Sequence, residues 1–189
     1  PEIGLLSRKC VGCGRCESVC PVGAHVLGDG VHTIDRERCT ACGECVEACL
    51  YGALEVYGKE VTAEEVVAAV LEDRTFYATS GGGCTMSGGE PLLQARFCAE
   101  VLRLLQAEGI HCAIDTSGAV SWECFKTVLP YADLVLYDMK HADDEIHREV
   151  TGASNGLVIE NLRRLSECGV PLEVRIPVIP GFNAEPRSI

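Results

Sequence analysis

Two cysteine runs carry the most specific chemistry in this chain. In KCVGCGRCESVCP, residues 9–21, Cys10, Cys13, Cys16 and Cys20 follow the spacing C-x2-C-x2-C-x3-C, and Cys39, Cys42, Cys45 and Cys49 repeat it. Three thiolates on one tight loop can cap three corners of an iron–sulfur cubane. The fourth, on the short helix beyond, points away from that loop and reaches the other cubane. The spacing therefore predicts two [4Fe–4S] clusters, one on Cys10, Cys13, Cys16 and Cys49, the other on Cys39, Cys42, Cys45 and Cys20. Gly12, Gly14 and Gly43 suit backbone that wraps close to sulfide. Zinc sites usually pair C-x2-C with wider gaps, and a disulfide framework spreads its cysteines more evenly. The repeat extends to Gly23/Gly52 and Ala24/Ala53, so the unit is duplicated. Leu50 stands after the second run where Pro21 stands after the first, and neither is a ligand.

A second set of polar residues recurs further along: Gly88, Gly89 and Glu90; Asp115 and Thr116, followed by Ser117 and Gly118; Asp138 and Lys140; and Arg175. Their positions follow from the elements around them. Thr62 with Glu65 makes a capping-box pattern, and Val66, Val67, Val70 and Leu71 give an apolar helical stripe. FYAT reads as a short strand and SGGG as a turn; the latter lacks the GK[ST] of a phosphate loop. CTMSGGEP reads as a strand entering a loop. Pro91 then opens a helix whose Leu93, Phe97, Val101, Leu104 and Leu105 recur at helical spacing as far as Gly109. HCAID, DLVLYD and PLEVRIPVI read as strands. SWECFKTVL and NGLVIENLRRLSEC read as helices, the second closed by Gly169.

Apolar strands alternating with amphipathic helices predict a parallel sheet, either doubly wound or closed into a barrel. In both, the C-terminal strand ends share one mouth where ligands bind. Four consecutive strands deliver acid, hydroxyl, lysine and arginine there. One Asp after a strand is more often a helix cap than a ligand; the combined placement points to a site. His141 and His147 read as solvated loop histidines. Trp122 reads as packing, and the lone cysteines Cys84, Cys98, Cys112, Cys124 and Cys168 as core residues.

The formal charge is −12, and the chain shows no basic face. That argues against DNA, RNA or an anionic membrane as partner. No apolar run is long enough to span a bilayer, and no signal peptide is visible. Of 13 cysteines, the eight in the two runs fall in the first 49 residues and the rest sit singly, which fits a reducing cytoplasm. The start at Pro1 and the end at Ile189 read as those of an internal fragment.

The composition shifts after Gly58. Residues 1–57 resemble a bacterial two-cluster ferredoxin module, read as an electron conduit; the alternative is that the clusters only hold a small insert together. Residues 58–189 form the second domain. SGGGCTMSGGEPLLQ, GIHCAIDTSG, DLVLYDMKHADDEIHREVTG and VRIPVIPGFN resemble, in order, the glycyl-radical-enzyme activating enzymes. These are the branch of the radical SAM superfamily that includes the pyruvate formate-lyase activating enzyme.

That resemblance implies an α/β fold, a partial (β/α) radical SAM barrel with a small ferredoxin-like 2[4Fe–4S] domain at its N-terminal end. It implies an oxidoreductase that cleaves S-adenosylmethionine reductively and leaves a glycyl radical on a partner enzyme, with the ferredoxin-type clusters relaying electrons. By position, Gly88, Gly89 and Glu90 match the GGE motif that receives the ligand's amino group. Asp115 and Thr116 match a strand-end pair near its carboxylate. Asp138 and Lys140 match the family's D-x-K, and Arg175 a strand position at the same end, with a structural ion pair as the alternative role for Arg175. The resemblance further implies a flavodoxin or ferredoxin donor and a monomer.

The departure is the superfamily's C-x3-C-x2-C, which binds a third [4Fe–4S] cluster and has no counterpart here. Its cysteines are expected upstream of Pro1, so the fragment alone is expected to be inactive. The competing reading is a non-catalytic two-cluster electron carrier fused to an α/β docking domain.

Overall fold

The computed structural model describes residues 1–28, 30–180 and 183–184. Gly181 and Phe182 of the VRIPVIPGFN stretch lie outside the described residues. The chain divides into two compact units, Pro1–Val61 and Thr62–Ile189. Among the described residues, no helix is long and apolar enough to cross a membrane.

The first unit is built twice over. Strand β1 (Glu2–Leu5), the first cysteine run, helix α1 (Arg15–Val19) and strand β2 (His25–Gly28) are followed by strand β3 (Val31–Ile34), the second run, helix α2 (Glu44–Glu47) and strand β4 (Leu54–Tyr57). The halves interlock: β1 pairs antiparallel with β4, and β2 with β3. Gly14 and Gly43 both cap their helices in the left-handed region, where a side chain would cost about 1–2 kcal/mol. The fully buried apolar core is small, with Ile3 and Leu54 beside Cys16 and Cys45. A core of that size needs a metal staple to hold a fold.

In the second unit, helix α3 (Ala63–Leu71) starts on the capping box read from the sequence, with Glu65 donating its backbone N–H to the Thr62 hydroxyl and the Glu65 carboxylate accepting from Thr62 N–H. Helix α4 (Arg74–Ser80) follows. FYAT therefore belongs to a helix, not a strand. Its β-forming residue types lose to helix propagation, with the Thr79 and Ser80 hydroxyls donating back to the Thr75 and Phe76 carbonyls.

The sheet comprises β5 (Gly83–Met86), β6 (His111–Thr116), β7 (Leu134–Asp138) and β8 (Leu172–Arg175), all parallel and in sequence order. Between them run a 3₁₀ turn (Pro91–Gln94) with α5 (Ala95–Ala107), then α6 (Trp122–Val128), then α7 (Asp144–Thr151) with α8 (Gly156–Glu167). A doubly wound sheet reverses its strand order at a switch point. This sheet adds each strand on the same side, the winding of a (β/α) barrel. The last strand is shorter than PLEVRIPVI suggests, because Pro177 lacks an N–H and biases Ile176. Leu102, Leu105, Ile114, Phe125 and Val135 are among the buried core residues.

Candidate functional site

The sequence places two constellations, and the structure assembles both. In the first unit, one cavity is lined by Cys10, Cys13, Cys16 and Cys49, and another by Cys20, Cys39, Cys42 and Cys45. Each takes three thiols from one run and the fourth from the other, the exchange expected from the spacing. The donor set fits a [4Fe–4S] group in each: four thiols converge, with no competing carboxylate in the lining.

The duplication reaches the fourth ligand's surroundings. Ala24 N–H donates to Cys20 Sγ and Ala53 N–H to Cys49 Sγ, both at 3.3 Å. Burial pushes the Cys49 thiol up, but the backbone amides around Ala53, Tyr51, Leu54 and Gly52 outweigh it and hold the group below its ordinary value. Cys16 and Cys45, deep in the core, are pushed up by burial instead, so ionising them costs more until a metal compensates. At Ala41 the second loop uses the positive φ (54°) that Gly12 (66°) uses in the first.

Sequence reasoning passed over two residues here, His25 and His32. The His32 imidazole lies 3.4 Å from Cys10 Sγ and 3.7 Å from Cys16 Sγ, and 2.9 Å from His25 Nδ1. Burial lowers both imidazoles, and the paired ring lowers His25 further, which favours the neutral forms. Their seven-residue separation in sequence carried no motif; the β2–β3 pairing makes them neighbours.

In the second unit, the strand ends gather two hydrogen-bonded groups. β7 Asp138 registers opposite β8 Arg175, and β6 Asp115 opposite Leu136, two residues before Asp138. Side chains two apart on a strand share a face, so Asp115, Asp138 and Arg175 point the same way. Arg175 is hydrogen-bonded to Asp115, and its Nε and Nη2 donate to Asp138 Oδ1 at 3.1 and 2.9 Å. Lys140 Nζ donates to Asp138 Oδ2 at 2.8 Å, and Ser87 Oγ to Asp115 Oδ2 at 3.3 Å. Burial pushes the Asp138 carboxyl up, but Lys140 and Arg175 together hold it below the usual carboxylate range.

Thr116 faces the other side and is buried. Its hydroxyl donates to Glu90 Oε1 at 2.8 Å, beside Leu92 N–H at 3.1 Å. Glu90 Oε2 accepts from Ser117 N–H at 2.9 Å and the Ser117 hydroxyl at 2.7 Å. Glu90, read from the sequence as the partner of a ligand ammonium, thus has both oxygens engaged within the protein. It caps the Pro91 turn and ties it to the end of β6. The two glycines before it are open: a Cβ built on Gly88 or Gly89 would meet nothing within 4 Å, and Gly88 has φ 120°. That cradle fits a ligand lying against bare backbone.

Two buried asparagines, missed in the sequence, hold the loops. Asn161 donates to the Gly118 and Val120 carbonyls, and Asn155 to those of His141 and Ala142. His141 and His147 are not solvated: they are only 4% and 6% exposed. His147 Nδ1 lies 2.7 Å from the Ala153 carbonyl, and His141 Nδ1 accepts from Asp143 N–H. Cys98 and Cys112 are core residues as expected, their thiols pushed by burial to about 11 and about 12. Cys168, expected in the core, is exposed at the end of α8.

A parallel sheet wound in one direction, with this polar set at its C-terminal ends, and paired cysteine cavities in the unit that precedes it in sequence define a barrel-type iron–sulfur protein. Residues 18–188 match the Radical SAM superfamily, and residues 7–24 match the 4Fe-4S binding domain. The chain belongs to the Radical SAM superfamily.

Its curated relatives include the isethionate sulfite-lyase activating enzyme of Nitratidesulfovibrio vulgaris, 45% identical over 98% of this chain and 61% of the relative. The (2S)-3-sulfopropanediol dehydratase activating enzyme of Klebsiella oxytoca is 37% identical over 100% and 61%. A crystal structure of a domain of pyruvate-formate lyase-activating enzyme from Bacteroides vulgatus aligns with a TM-score of 0.53. It is 36% identical and covers 57% of this chain and 66% of that one. The chain spans about three fifths of the length of the curated relatives it matches.

Proposed function

We propose that this chain is the electron-relay module and part of the ligand-binding barrel of an enzyme that installs a glycyl radical in a partner protein. The observation that carries the reading is the convergence of Gly88–Gly89 with Asp115, Asp138, Lys140 and Arg175 at consecutive strand ends, in a chain that also pairs its cysteines into two cavities. The two curated relatives named above, both activating enzymes, support it over the electron-carrier alternative.

S-adenosylmethionine, when bound and given one electron, supplies a 5′-deoxyadenosyl radical that takes a hydrogen atom from a glycine Cα, with methionine released. The residues of this chain bind and orient. Lys140 and Arg175 would offer cations to the methionyl carboxylate, and their bonds to Asp138 and Asp115 fix where those cations stand. Asp138 also stands where the D-x-K of the family helps to place a cation or the partner's glycine loop. The ammonium is received by the bare backbone of Gly88 and Gly89. Glu90 and Thr116 act one step back, with Glu90 fixing the turn through four accepted hydrogen bonds.

The eight cysteines of the two runs hold two clusters, and a third sits on C-x3-C-x2-C cysteines outside this chain. The donor is a flavodoxin or a ferredoxin, the partner a glycyl radical enzyme, and the protein a monomer of the cytoplasm.

The test is to incubate the full-length protein anaerobically with S-adenosylmethionine and a chemical reductant, then with the partner enzyme. 5′-Deoxyadenosine and a glycyl-radical EPR signal are expected. Reducible clusters with neither product would leave an electron carrier.

A further inference from the structure

We propose that the His25–His32 pair makes the two cysteine cavities of the first unit electronically unequal, so that a single electron shared between them rests on the cluster held by Cys10, Cys13, Cys16 and Cys49. The inference deepens the two-cluster reading and rests on it.

The duplication makes the comparison internal. The shift that carries Cys10 onto Cys39 also carries Ile3 onto His32 and His25 onto Leu54. The register agrees: His32 pairs with Leu27 as Ile3 pairs with Val56, and His25 with Ile34 as Leu54 with Leu5. The first cavity is walled by His32 and Leu54; the second has Ile3 and His25 at the matching places. Two halves that agree in ligands, turns and amide donors thus differ, among other wall positions, at one diagonal pair. In the β1–β4 pair it is apolar, and in the β2–β3 pair it is two imidazoles.

His32 Nδ1 lies 3.4 Å from Cys10 Sγ and its Nε2 3.7 Å from Cys16 Sγ. A cluster-bound thiolate only accepts, so the imidazole presents its N–H to sulfur of the first cavity. His25 Nδ1, 2.9 Å from His32 Nε2, holds that ring in place. At the second cavity the corresponding position is Ile3, which has no donor. Among the described residues, no histidine nitrogen is hydrogen-bonded to Cys20, Cys39, Cys42 or Cys45. Hydrogen bonds to cluster sulfur stabilise the more negative, reduced state and raise the potential. The cluster beside His32 is thus the easier of the two to reduce, and the pair has a direction.

The experiment is an anaerobic dithionite titration of the full-length protein followed by EPR, with iron and sulfide counted first. Cys42→Ser removes the signal of the second cavity and Cys13→Ser that of the first, which separates both from that of the third cluster. The two clusters of the unit are expected to differ by at least tenfold in electron occupancy, about 59 mV for one electron. His32→Ile should lower the first cavity's potential and shrink the gap, while His32→Gln, which keeps a donor, should retain more of it.

Should His32→Ile fail to hold its cluster, the parent protein labelled with ¹⁵N-histidine decides without any substitution. A nitrogen hyperfine coupling is expected on the first cavity's reduced cluster and not on the second's. Two intact clusters with equal potentials, or no histidine coupling on the first, would overturn the inference alone. Iron missing from these cysteines in the parent would overturn the two-cluster reading and the inference with it.

Discussion

Replacing Gly118 with alanine should destabilise the second unit by about 3 kcal/mol. Gly118 turns the chain directly after β6 with φ +73°, and a Cβ there would lie 1.7 Å from Tyr137 Oη and 2.2 Å from its Cζ. The left-handed conformation costs an alanine roughly 1–2 kcal/mol. Pushing a fully buried tyrosine aside costs roughly 1–3 kcal/mol more. The displaced hydroxyl also strains its 2.6 Å bond to the Val158 carbonyl. The smaller unfolded-state entropy of alanine returns roughly 0.4–1 kcal/mol.

The chain's single tryptophan, Trp122, makes the measurement specific. It stacks on Phe125 at 5.4 Å, and Phe125 on Tyr137 at 6.5 Å, so its fluorescence in urea reports this unit. Combining Gly118→Ala with Tyr137→Phe removes the closest atom and should recover about 1 kcal/mol as a coupling energy. A Gly118→Ala protein within about 0.5 kcal/mol of the parent, or a cycle with no coupling, would refute the argument that Tyr137 requires glycine here.

Other perturbations test the sites. Cys20→Ser should disturb the same EPR signal as Cys42→Ser, because the fourth ligand crosses between the runs; a Cys20→Ser spectrum matching that of Cys10→Ser would show that each run closes its own cluster. Glu90→Gln should weaken S-adenosylmethionine binding by about 1.5–3 kcal/mol in calorimetry on the full-length protein, since an amide cannot accept all four hydrogen bonds that shape the turn; unchanged affinity would remove Glu90 from the site. Asp138 has a depressed folded pKa, so its contribution to stability is present above the unfolded value of about 3.9 and is lost as pH falls through the folded one. Arg175→Met should raise the Asp138 carboxyl, readable by NMR, and flatten the acid limb of stability; an unmoved carboxyl would mean that Lys140 alone holds it down.

Much of this was legible along the chain, and the exceptions share a cause. Cysteine spacing is a covalent property of a short loop, so the exchange of the fourth thiol between the two cavities could be read before any fold was known. The capping box at Thr62, the helix opening at Pro91 and the run of βα units are likewise local. FYAT misled because four residues with β propensity say nothing about whether a neighbouring strand exists. The two loop histidines misled because a loop assignment does not reveal the asparagine and helix beneath it. Glu90 was read as the partner of a ligand ammonium, but its partners Thr116 and Ser117 lie 26 and 27 residues away, and only the tertiary structure shows that its oxygens are taken.

The sequence by itself thus determined which thiols share a cavity, the duplicated first unit and the residues at the strand ends, because each depends on spacing within a turn or one element. The tertiary structure alone decided the one-way order of the sheet and the face shared by Asp115, Asp138 and Arg175. It also decided the meeting of His25 with His32 and the contact of His32 with thiols of the first cavity. Those depend on strand register, where a shift of one residue reverses every side chain, and register is settled by the packing of the whole unit.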